Sequence, residues 1–283
     1  MPELPEVESI RRQLEPLLLD AQIVGATAHP SPKFVSASAA IGHAITRINR
    51  RGKYLLFRLN APHREERELI IHLGMTGALW VDDDPPRDPH ARAHWQLSDG
   101  RHLWFRDIRR FGRLAVVKPG EYQTLPTLQA LGPEPFDPNL DPQRFYESLA
   151  ITHRSIKTAL LSQRPVAGLG NIYTDEALWR SQISPVTRQV GRARARRLLE
   201  AIRNVLAEAL EHGGTTLKDY RTPDGNQGLN QYRLDCYGRS GHPCRRCGGN
   251  LSRRIVDQRS TTWCPTCKAR RGAKPTALAP PVG

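Results

Sequence analysis

Four cysteines near the end of the chain form two Cys-x-x-Cys pairs with sixteen residues between them, Cys244 with Cys247 and Cys264 with Cys267. Thiolates are soft ligands, and two such pairs supply the four tetrahedral donors of a closed structural zinc site. The sequence therefore predicts that this segment folds around one zinc ion. In a site of this kind the energy of metal binding is folding energy.

The residues between the two pairs predict a hairpin. Ile255-Val256 and Thr261–Trp263 are short β-like runs, and the turn at residues 257–260 would present Arg259 at its tip. Arg259 is then either an ordinary exposed turn residue or a phosphate contact, and the residue types leave both open. The fifth cysteine, Cys236, is interpreted as a free thiol. Cysteines used in this way indicate a reduced, intracellular protein with a metal site more than a disulfide framework.

Charge indicates a polyanionic partner. The 283 residues carry a formal net charge of +14. Residues 1–133 contain 18 lysines and arginines against 15 aspartates and glutamates, and residues 134–283 contain 24 against 13. A basic balance of this kind favours nucleic acid, although charge alone leaves open an anionic membrane surface or a role only in solubility. Because the sequence has no run of eighteen apolar residues and no charged-then-apolar leader, we expect neither a membrane span nor a signal peptide.

The first part of the chain reads as one helix followed by short strands. Val7, Ile10, Leu14 and Leu17 recur at helical spacing and predict a helix over residues 4–19. The β-like runs that follow are Ala44–Ile48, Tyr54–Leu59, Glu68–His72, Ala78–Val81, His94–Leu97, His102–Arg106 and Leu114–Val117. Asp99-Gly100 between two of them is a two-residue hairpin signal. This spacing predicts a β-sandwich or barrel.

The second part reads as helical. Helical patterns lie at Ile156–Leu161 and Ile172–Trp179, and a longer one ends at Gly213-Gly214. The arginine-rich start of that long helix, residues 191–197, is interpreted as a solvated face, and residues 219–231 as a mobile loop. The predicted domains are 1–133, a linker at 134–143, a helical DNA-binding domain at 144–235, a zinc finger at 236–269 and a disordered tail at 270–283.

The N-terminus, MPELPEVE, carries a possible chemistry. If Met1 is removed, Pro2 becomes a secondary amine beside the Glu3 carboxylate. Attack by that amine on a sugar C1′ gives an iminium with no N–H to lose, so its charge persists and drives a later elimination. The carboxylate can act as general acid and base. Proline and glutamate also suit the start of a helix, and alone they leave both interpretations open.

Seven motifs in one order extend this interpretation. They are MPELPEVE at the N-terminus, RRGKYLLF (50–57), HLGM (72–75), RRFGR (109–113), GLGNIY (168–173), GGTTLKD (213–219) and the terminal zinc finger. Together they resemble the bacterial formamidopyrimidine-DNA glycosylase family, base-excision repair enzymes with an attached abasic-site lyase activity. The resemblance runs from Met1 to about Lys268. One departure is Ile108, where the family pattern leads us to expect proline.

The resemblance implies an α+β fold. A leading helix and an N-terminal β-sandwich would precede a helix–two-turn–helix domain with the zinc hairpin, and DNA would lie in the cleft between them. It implies excision of oxidised purines, chiefly 8-oxoguanine opposite cytosine and formamidopyrimidines, from double-stranded DNA by base flipping. A Schiff base at Pro2 would then drive β,δ-elimination. The expected cofactor is one structural Zn²⁺, and the expected state is a monomer in the bacterial cytoplasm.

The resemblance also assigns residue roles. Pro2 would be the nucleophile and Glu3 its acid/base partner. Phosphate would be bound by Lys53, Asn171 and Arg259. Taken alone, Lys53 is an ordinary edge lysine and Asn171 is a helix N-cap. Unpaired N–H groups at Gly168 and Gly170 would favour a phosphate beside Asn171. The residues that would fill the gap left by the flipped nucleotide, or lie near the damaged purine, are Met75, Arg109, Phe111 and Lys157. Without the resemblance, Met75 and Phe111 would be interpreted as core residues.

Two other functions stay open at this stage. The first is the sister activity on oxidised pyrimidines, against which Leu4, Met75 and the RRFG motif argue. The second is a non-catalytic, zinc-dependent protein that binds or senses damaged DNA. Retention of Met1 would favour that second function, because a blocked amine cannot attack.

Overall fold

The structure, a computed structural model, describes residues 1–217, 220 and 223–267. It divides into two compact units, residues 1–130 with 209–231, and residues 131–208 with the chain from Tyr232 onward. Residues 209–231 thus group with the first unit, whereas the predicted boundaries assigned them to the helical domain. The predicted disordered tail, and part of the predicted loop at 219–231, lie outside the described residues.

The first unit opens with helix α1, Leu4–Leu18, which confirms the predicted helix. Its apolar positions face inward because they repeat at helical spacing, and Val7, Ile10 and Leu14 are buried. Leu18, not the predicted Leu17, completes this stripe, since Leu17 is 41% exposed. Pro16 is tolerated because the helix ends two residues later.

Two antiparallel four-stranded sheets follow, and the predicted β-sandwich is confirmed. The strands are β1 Ile23–Ala28, β2 Ala44–Arg51, β3 Tyr54–Asn60, β4 Arg67–His72, β5 Gly77–Asp82, β6 Ala91–Leu97, β7 His102–Asp107 and β8 Arg113–Val117. Their orders are β1-β6-β7-β5 and β2-β3-β4-β8. Side chains from both sheets share one core with α1, among them Phe57, Ile71, Trp95 and Phe105. A 3₁₀ helix at Val35–Ala40 adds Ala37, whose carbonyl accepts from the Trp95 indole N–H.

The sequence pattern located seven of these strands and missed β1, whose alternation is interrupted by Gly25 and two alanines. The hairpin predicted at Asp99-Gly100 joins β6 to β7. Its connection spans residues 98–101, longer than a two-residue turn, and Gly100 has a φ of 91°. That backbone angle costs glycine little, which explains why glycine occupies the position.

The second unit is helical and ends in a small hairpin. Its helices are α3 Pro142–Ala150, α4 Ile156–Leu161, α5 Asn171–Arg180 and α6 Arg192–Glu211, the last of which extends into the residues of the first unit. A short helix α2, Pro126–Gln129, closes the first unit, and a 3₁₀ turn spans Asn230–Arg233. Strands β9 Ser252–Val256 and β10 Arg259–Trp263 pair in an antiparallel ladder.

The hairpin turn is tighter than predicted. Asp257 and Gln258 both have positive φ, 48° and 60°, so the two of them make the turn. Arg259 therefore begins β10 opposite Val256, one position beyond the tip. Among the described residues, no helix has both the length and the apolar character needed to cross a membrane.

Candidate functional site

The N-terminal residues with predicted chemistry are held in a buried position at the start of α1. Pro2 is buried and Glu3 is 2% exposed, whereas Met1 is 47% exposed. The Glu3 backbone N–H donates to Glu6 Oε2 at 2.7 Å. The other oxygen of the same carboxylate, Glu6 Oε1, accepts from the Thr215 N–H at 2.7 Å. Glu6 thus ties the N-terminus to a loop more than two hundred residues away in sequence.

Sequence reasoning missed Glu6, although a signal was present. Glu3 and Glu6 stand three residues apart at a helix start, which is the spacing of a capping box. Gly214 beside it leaves room for the carboxylate, because a Cβ there would lie 2.8 Å from Glu6 Oε1. Tyr220 closes the same region by donating its hydroxyl to the Gly213 carbonyl at 3.1 Å. Burial, and then the Glu6 charge, raise the pKa of this phenol.

Lys53 lies at the start of β3 with only 2% of its surface exposed, so it is not an ordinary edge lysine. Its neighbour in the first unit is His72, which accepts from the Gly74 N–H at 3.2 Å and stacks against Tyr54. Burial, and then the charges of Lys53 and Arg113, lower the pKa of His72 to about 4. The imidazole is therefore neutral at pH 7. His72 adds no further positive charge beside Lys53.

The predicted gap-filling residues lie on two adjoining loops. Phe111 is 51% exposed and Arg109 is exposed, with its guanidinium 4.6 Å from the centre of the Phe111 ring. Phe111 is therefore not a core residue, and Met75 is only half-buried. The backbones of the loops touch, since a Cβ at Gly74 would lie 2.4 Å from the Gly112 nitrogen. An exposed aromatic ring on a fixed backbone has the form of a wedge.

Asp107, another residue that sequence reasoning missed, holds these two loops together. Its side chain is fully buried; Oδ1 accepts from the Thr76 hydroxyl at 2.6 Å and Oδ2 from the Gly112 N–H at 2.6 Å. Thr76 in turn accepts from the Arg109 N–H at 3.1 Å. The family pattern led us to expect proline at position 108, which would stiffen this loop. Ile108 stands there instead, and the buried carboxylate of Asp107 restrains the loop. In the sequence, only the position of Asp107 between a predicted strand and the RRFGR motif could have indicated this role.

In the second unit, Asn171 is not the N-cap that its sequence context suggested. Helix α5 begins at Asn171, with Gly170 in the N-cap position. The Asn171 side-chain N–H donates to the Ser260 carbonyl at 2.9 Å, and its Oδ1 has no hydrogen-bond partner among the described residues. Gly168 is also not available to an anion as predicted, because its N–H donates to Gln163 Oε1 at 2.9 Å. Asn171 therefore lies beside the residue that follows Arg259.

Lys157, which the resemblance places near the damaged purine, is buried in the second unit. Its side chain is 0% exposed, and its ammonium donates to Asp175 Oδ1 at 2.6 Å and to the Ser260 carbonyl at 3.2 Å. Asp175 Oδ2 accepts from the Thr262 N–H at 2.9 Å. This geometry does not present Lys157 to a ligand. The buried ion pair instead fixes strand β10, and with it the position of exposed Arg259.

The four predicted zinc ligands form one cluster. The sulfurs of Cys244, Cys247, Cys264 and Cys267 lie within 4.8 Å of one another, and two pairs are separated by 3.7 Å and 3.5 Å. Four thiolates about 2.3 Å from a tetrahedral zinc would stand about 3.8 Å apart, so the donor set fits the metal. Burial opposes ionisation of Cys244, but backbone N–H groups and the Trp179 indole N–H lower its pKa to about 7.

Two more side chains secure this module. Glu176 is 1% exposed and accepts from the backbone N–H groups of residues 235, 236 and 237. Cys236 is fully buried and donates to the Thr262 carbonyl at 3.1 Å, and burial raises the pKa of its thiol. It is free, as predicted, and inert toward metal or oxidant in this position.

Comparison with known proteins agrees with the geometry of both units. The family models match in chain order: the formamidopyrimidine-DNA glycosylase N-terminal domain at residues 1–114, the formamidopyrimidine-DNA glycosylase H2TH domain at 131–221, and the zinc finger found in FPG and IleRS at 241–270. These matches define the class, a DNA glycosylase with an H2TH domain and a zinc finger.

The relatives lead to the same class. The formamidopyrimidine-DNA glycosylase of Deinococcus radiodurans is 41% identical over 283 residues, covering 96% of this chain and 98% of that protein. The crystal structure of the MutM (Fpg) protein of Thermus thermophilus matches with a TM-score of 0.86 and 45% identity, over 94% of this chain and 98% of that one. A Lactococcus lactis Fpg mutant in complex with Fapy-dG-containing DNA matches with a TM-score of 0.85 and 33% identity, over 95% and 100%. The chain belongs to the formamidopyrimidine-DNA glycosylase family.

Proposed function

We propose that this protein excises oxidised purines from double-stranded DNA and then cleaves the resulting abasic site, with Pro2 as the nucleophile. The substrates would be 8-oxoguanine opposite cytosine and formamidopyrimidines, and the working form a cytoplasmic monomer. The observation that carries the proposal is the network around Glu6. It holds Pro2 and Glu3 buried at the start of α1 and ties them to the loop at Thr215. The hydrogen bond from Thr215 to Glu6 is the part of this network that a helix capping box does not need.

The chemistry follows from the bonds at Pro2. Once Met1 is removed, the Pro2 nitrogen attacks C1′ and gives up its N–H proton, while the glycosidic bond breaks and its electron pair leaves with the base, which takes up a proton. Glu3 protonates the ring oxygen O4′, so the sugar opens and a C1′ iminium forms. Loss of the C2′ proton to a base expels the 3′ phosphate, and a second elimination expels the 5′ phosphate.

Other side chains would hold the DNA during this reaction. The buried ammonium of Lys53 supplies a charge for a phosphate in the first unit, while Arg259 and Asn171 supply donors in the second. Phe111 would enter the base stack as the nucleotide leaves, and Met75 would occupy the remaining space. Arg109, which offers only donors, suits the O2 and N3 acceptors of an unpaired cytosine. The four cysteines would bind one structural zinc ion.

The test is covalent trapping at the N-terminus. Borohydride should reduce the iminium and leave lesion DNA attached to the processed enzyme, whereas a form that retains a residue before Pro2 should give no attached DNA. Pro2→Gly keeps a primary amine, so we expect slower excision and impaired elimination with DNA binding within about twofold of the parent. Trapping by the Met1-retaining form at the parent's rate would show that Pro2 is not the nucleophile.

The same experiment separates the proposal from its non-catalytic alternative. A protein that only binds damaged DNA would retain its affinity with Met1 present or absent and would never form a trapped complex. Glu3→Gln should bind lesion DNA normally but slow ring opening, because an amide cannot donate the proton. Parallel assays with 8-oxoguanine and an oxidised pyrimidine in the same duplex would decide between the two sister activities.

A further inference from the structure

Helix α6 begins with arginines that have no ionic partner among the described residues. The arginine patch consists of Arg188, just before the helix, with Arg192, Arg194, Arg196 and Arg197 in its first two turns. Other arginines of the same unit are engaged. Arg203, further along α6, donates to the carbonyls of residues 135 and 140, and Arg180 forms an ion pair with Glu208. The patch is therefore a group of five arginines close together in sequence, none of which is neutralised by a carboxylate of the described residues.

This placement is locally unfavourable for the helix. The first turn of α6 contains no acidic residue, and Gly191 before it has no side chain to accept from the free N–H groups. Cations near a helix N-terminus oppose the helix dipole and destabilise the start of the helix. Arg192 and Arg196 are also a like-charged pair one turn apart. A bound anion would remove both penalties at once.

Arg194 and Arg197 of the patch are half-buried. The Nε atoms of Arg194 and Arg197 are buried and have no hydrogen-bond acceptor among the described residues. Burial, and then the charge of Arg197, lower the pKa of Arg194, although a guanidinium stays protonated at neutral pH. The two guanidinium groups therefore remain charged, and no carboxylate of the described residues neutralises them.

A groove of about 980 Å³ adjoins the patch on the same unit. Its lining includes Tyr146, His153, Thr187 and Arg188, and the Arg192 guanidinium lies 5.6 Å from the centre of the Tyr146 ring. Hydroxyl, imidazole and guanidinium groups along one channel match the donors that contact a sugar–phosphate backbone. Helix α6 exposes no large apolar side chain beside its arginines, so it lacks the apolar face with which an amphipathic helix enters a lipid surface.

We propose that the arginine patch and its groove bind the phosphate backbone of duplex DNA irrespective of damage. The inference rests on the proposed function only in taking DNA as the partner, because it involves neither Pro2 nor the zinc hairpin. Guanidinium forks bind phosphate oxygens in pairs, and the unpaired N–H groups at the start of α6 add further donors. Contacts of this kind hold a repair enzyme on undamaged DNA while it searches for a lesion.

The test compares two double variants of the full-length, zinc-loaded protein. Arg192→Gln/Arg196→Gln removes two charges from the patch. Arg47→Gln/Arg87→Gln removes two exposed arginines of the first unit, for which no bonded partner is found among the described residues. Binding to a short undamaged duplex is measured over a series of salt concentrations. Each lost phosphate contact should reduce the slope of log affinity against log salt by about 0.9, so the patch variant should lose about 1.8 and bind roughly tenfold more weakly at low salt.

Single-turnover excision of 8-oxoguanine at saturating enzyme should stay within twofold of the parent in both variants, and the patch variant should melt at the same or a higher temperature. Equal salt slopes in the two variants would overturn the proposal. So would a patch variant that keeps its DNA slope but no longer binds vesicles containing phosphatidylserine, which would assign the patch to membranes. If the parent itself neither traps nor excises while the slopes still differ, the proposed function fails and the patch remains a DNA contact.

Discussion

The two units hold their functional side chains with the same kind of group but on different foundations. In the first unit, the buried carboxylates of Glu6 and Asp107 accept loop N–H groups, and the large apolar core of the sandwich lies behind them. In the second, Asp175 and Glu176 accept N–H groups of the zinc module. The apolar cluster at the zinc module is small, formed by Trp179, Leu251 and three of the cysteines with a fourth packed on it. The helices of this unit have buried apolar residues of their own.

This difference predicts how each unit should respond to removal of the metal. A buried carboxylate that accepts backbone N–H groups fixes a loop only if something larger fixes the carboxylate. In the first unit the packed sheets do this without a metal. In the second, helix α5 supplies the carboxylates and packs within the apolar core of the helices, whereas the β9–β10 hairpin has four cysteine ligands in place of a large core. The first unit and the helices of the second should therefore be insensitive to chelation, and the zinc module should depend on it.

The largest expected effect is loss of the metal. Cys264→Ser removes one of four ligands, so zinc should be lost, the β9–β10 hairpin should disorder, and affinity for lesion DNA should fall at least tenfold because Arg259 is no longer held. Cys236→Ser is the matched control, since that thiol binds no metal and serine keeps its hydrogen bond to the Thr262 carbonyl. Zinc content and DNA affinity are measured on both. Normal DNA binding by a zinc-free Cys264→Ser protein would remove the hairpin from the interface.

Breaking the buried ion pair should be the next largest change. Asp175→Asn leaves the ammonium of Lys157, which is 0% exposed, without its counter-charge, and loss of one partner of a buried pair costs about 3–5 kcal/mol. The double variant Lys157→Met/Asp175→Leu should lose less, because no unpaired charge is left. Asp107→Asn in the first unit should cost only about 1–3 kcal/mol. Chemical unfolding of all three gives the order, and an Asp107 variant as unstable as the Asp175 variant would contradict the contrast between the units.

A smaller effect is the pH dependence of stability that His72 gives to the first unit. Because the pKa of His72 falls to about 4 in the folded state, its contribution to the free energy of unfolding is fully present above about pH 6.5 and is lost as the pH falls toward 4. The loss is at most about 3 kcal/mol. His72→Asn retains an acceptor for the Gly74 N–H but does not titrate. Melting temperatures from pH 7.5 to 4.5 should fall more steeply for the parent than for the variant, and parallel curves would exclude His72 as the cause.

The smallest predicted effect concerns discrimination of the opposite base. Arg109→Ala should weaken excision opposite cytosine more than opposite other bases, by roughly 1–3 kcal/mol, the usual value of a base-edge contact. Phe111→Ala should instead slow excision opposite every base alike, because it removes the wedge. Single-turnover excision of 8-oxoguanine against each of the four partner bases measures both. If Arg109→Ala slowed excision by the same factor opposite all four bases, Arg109 would be only a phosphate contact.

The sequence by itself determined the elements whose signals are local. The helical spacing of Val7, Ile10 and Leu14 and the short β-like runs of β2 to β8 are patterns that depend on near neighbours in the chain. The zinc ligands follow from the spacing of the cysteines, and the family from seven motifs in one order. These signals predicted the fold class, the metal and the nucleophile's position before any tertiary contact was known.

Only the tertiary structure decided how the site is supported. Glu6 meets Thr215, and Lys157 meets Asp175 and Ser260, across long separations in the chain that no periodicity records. The resemblance places Lys157 near the damaged purine, and only the structure reveals its buried ion pair with Asp175. The physical reason is that a charge removed from water must find its partner within hydrogen-bonding distance, and folding, not sequence order, decides which group lies at that distance.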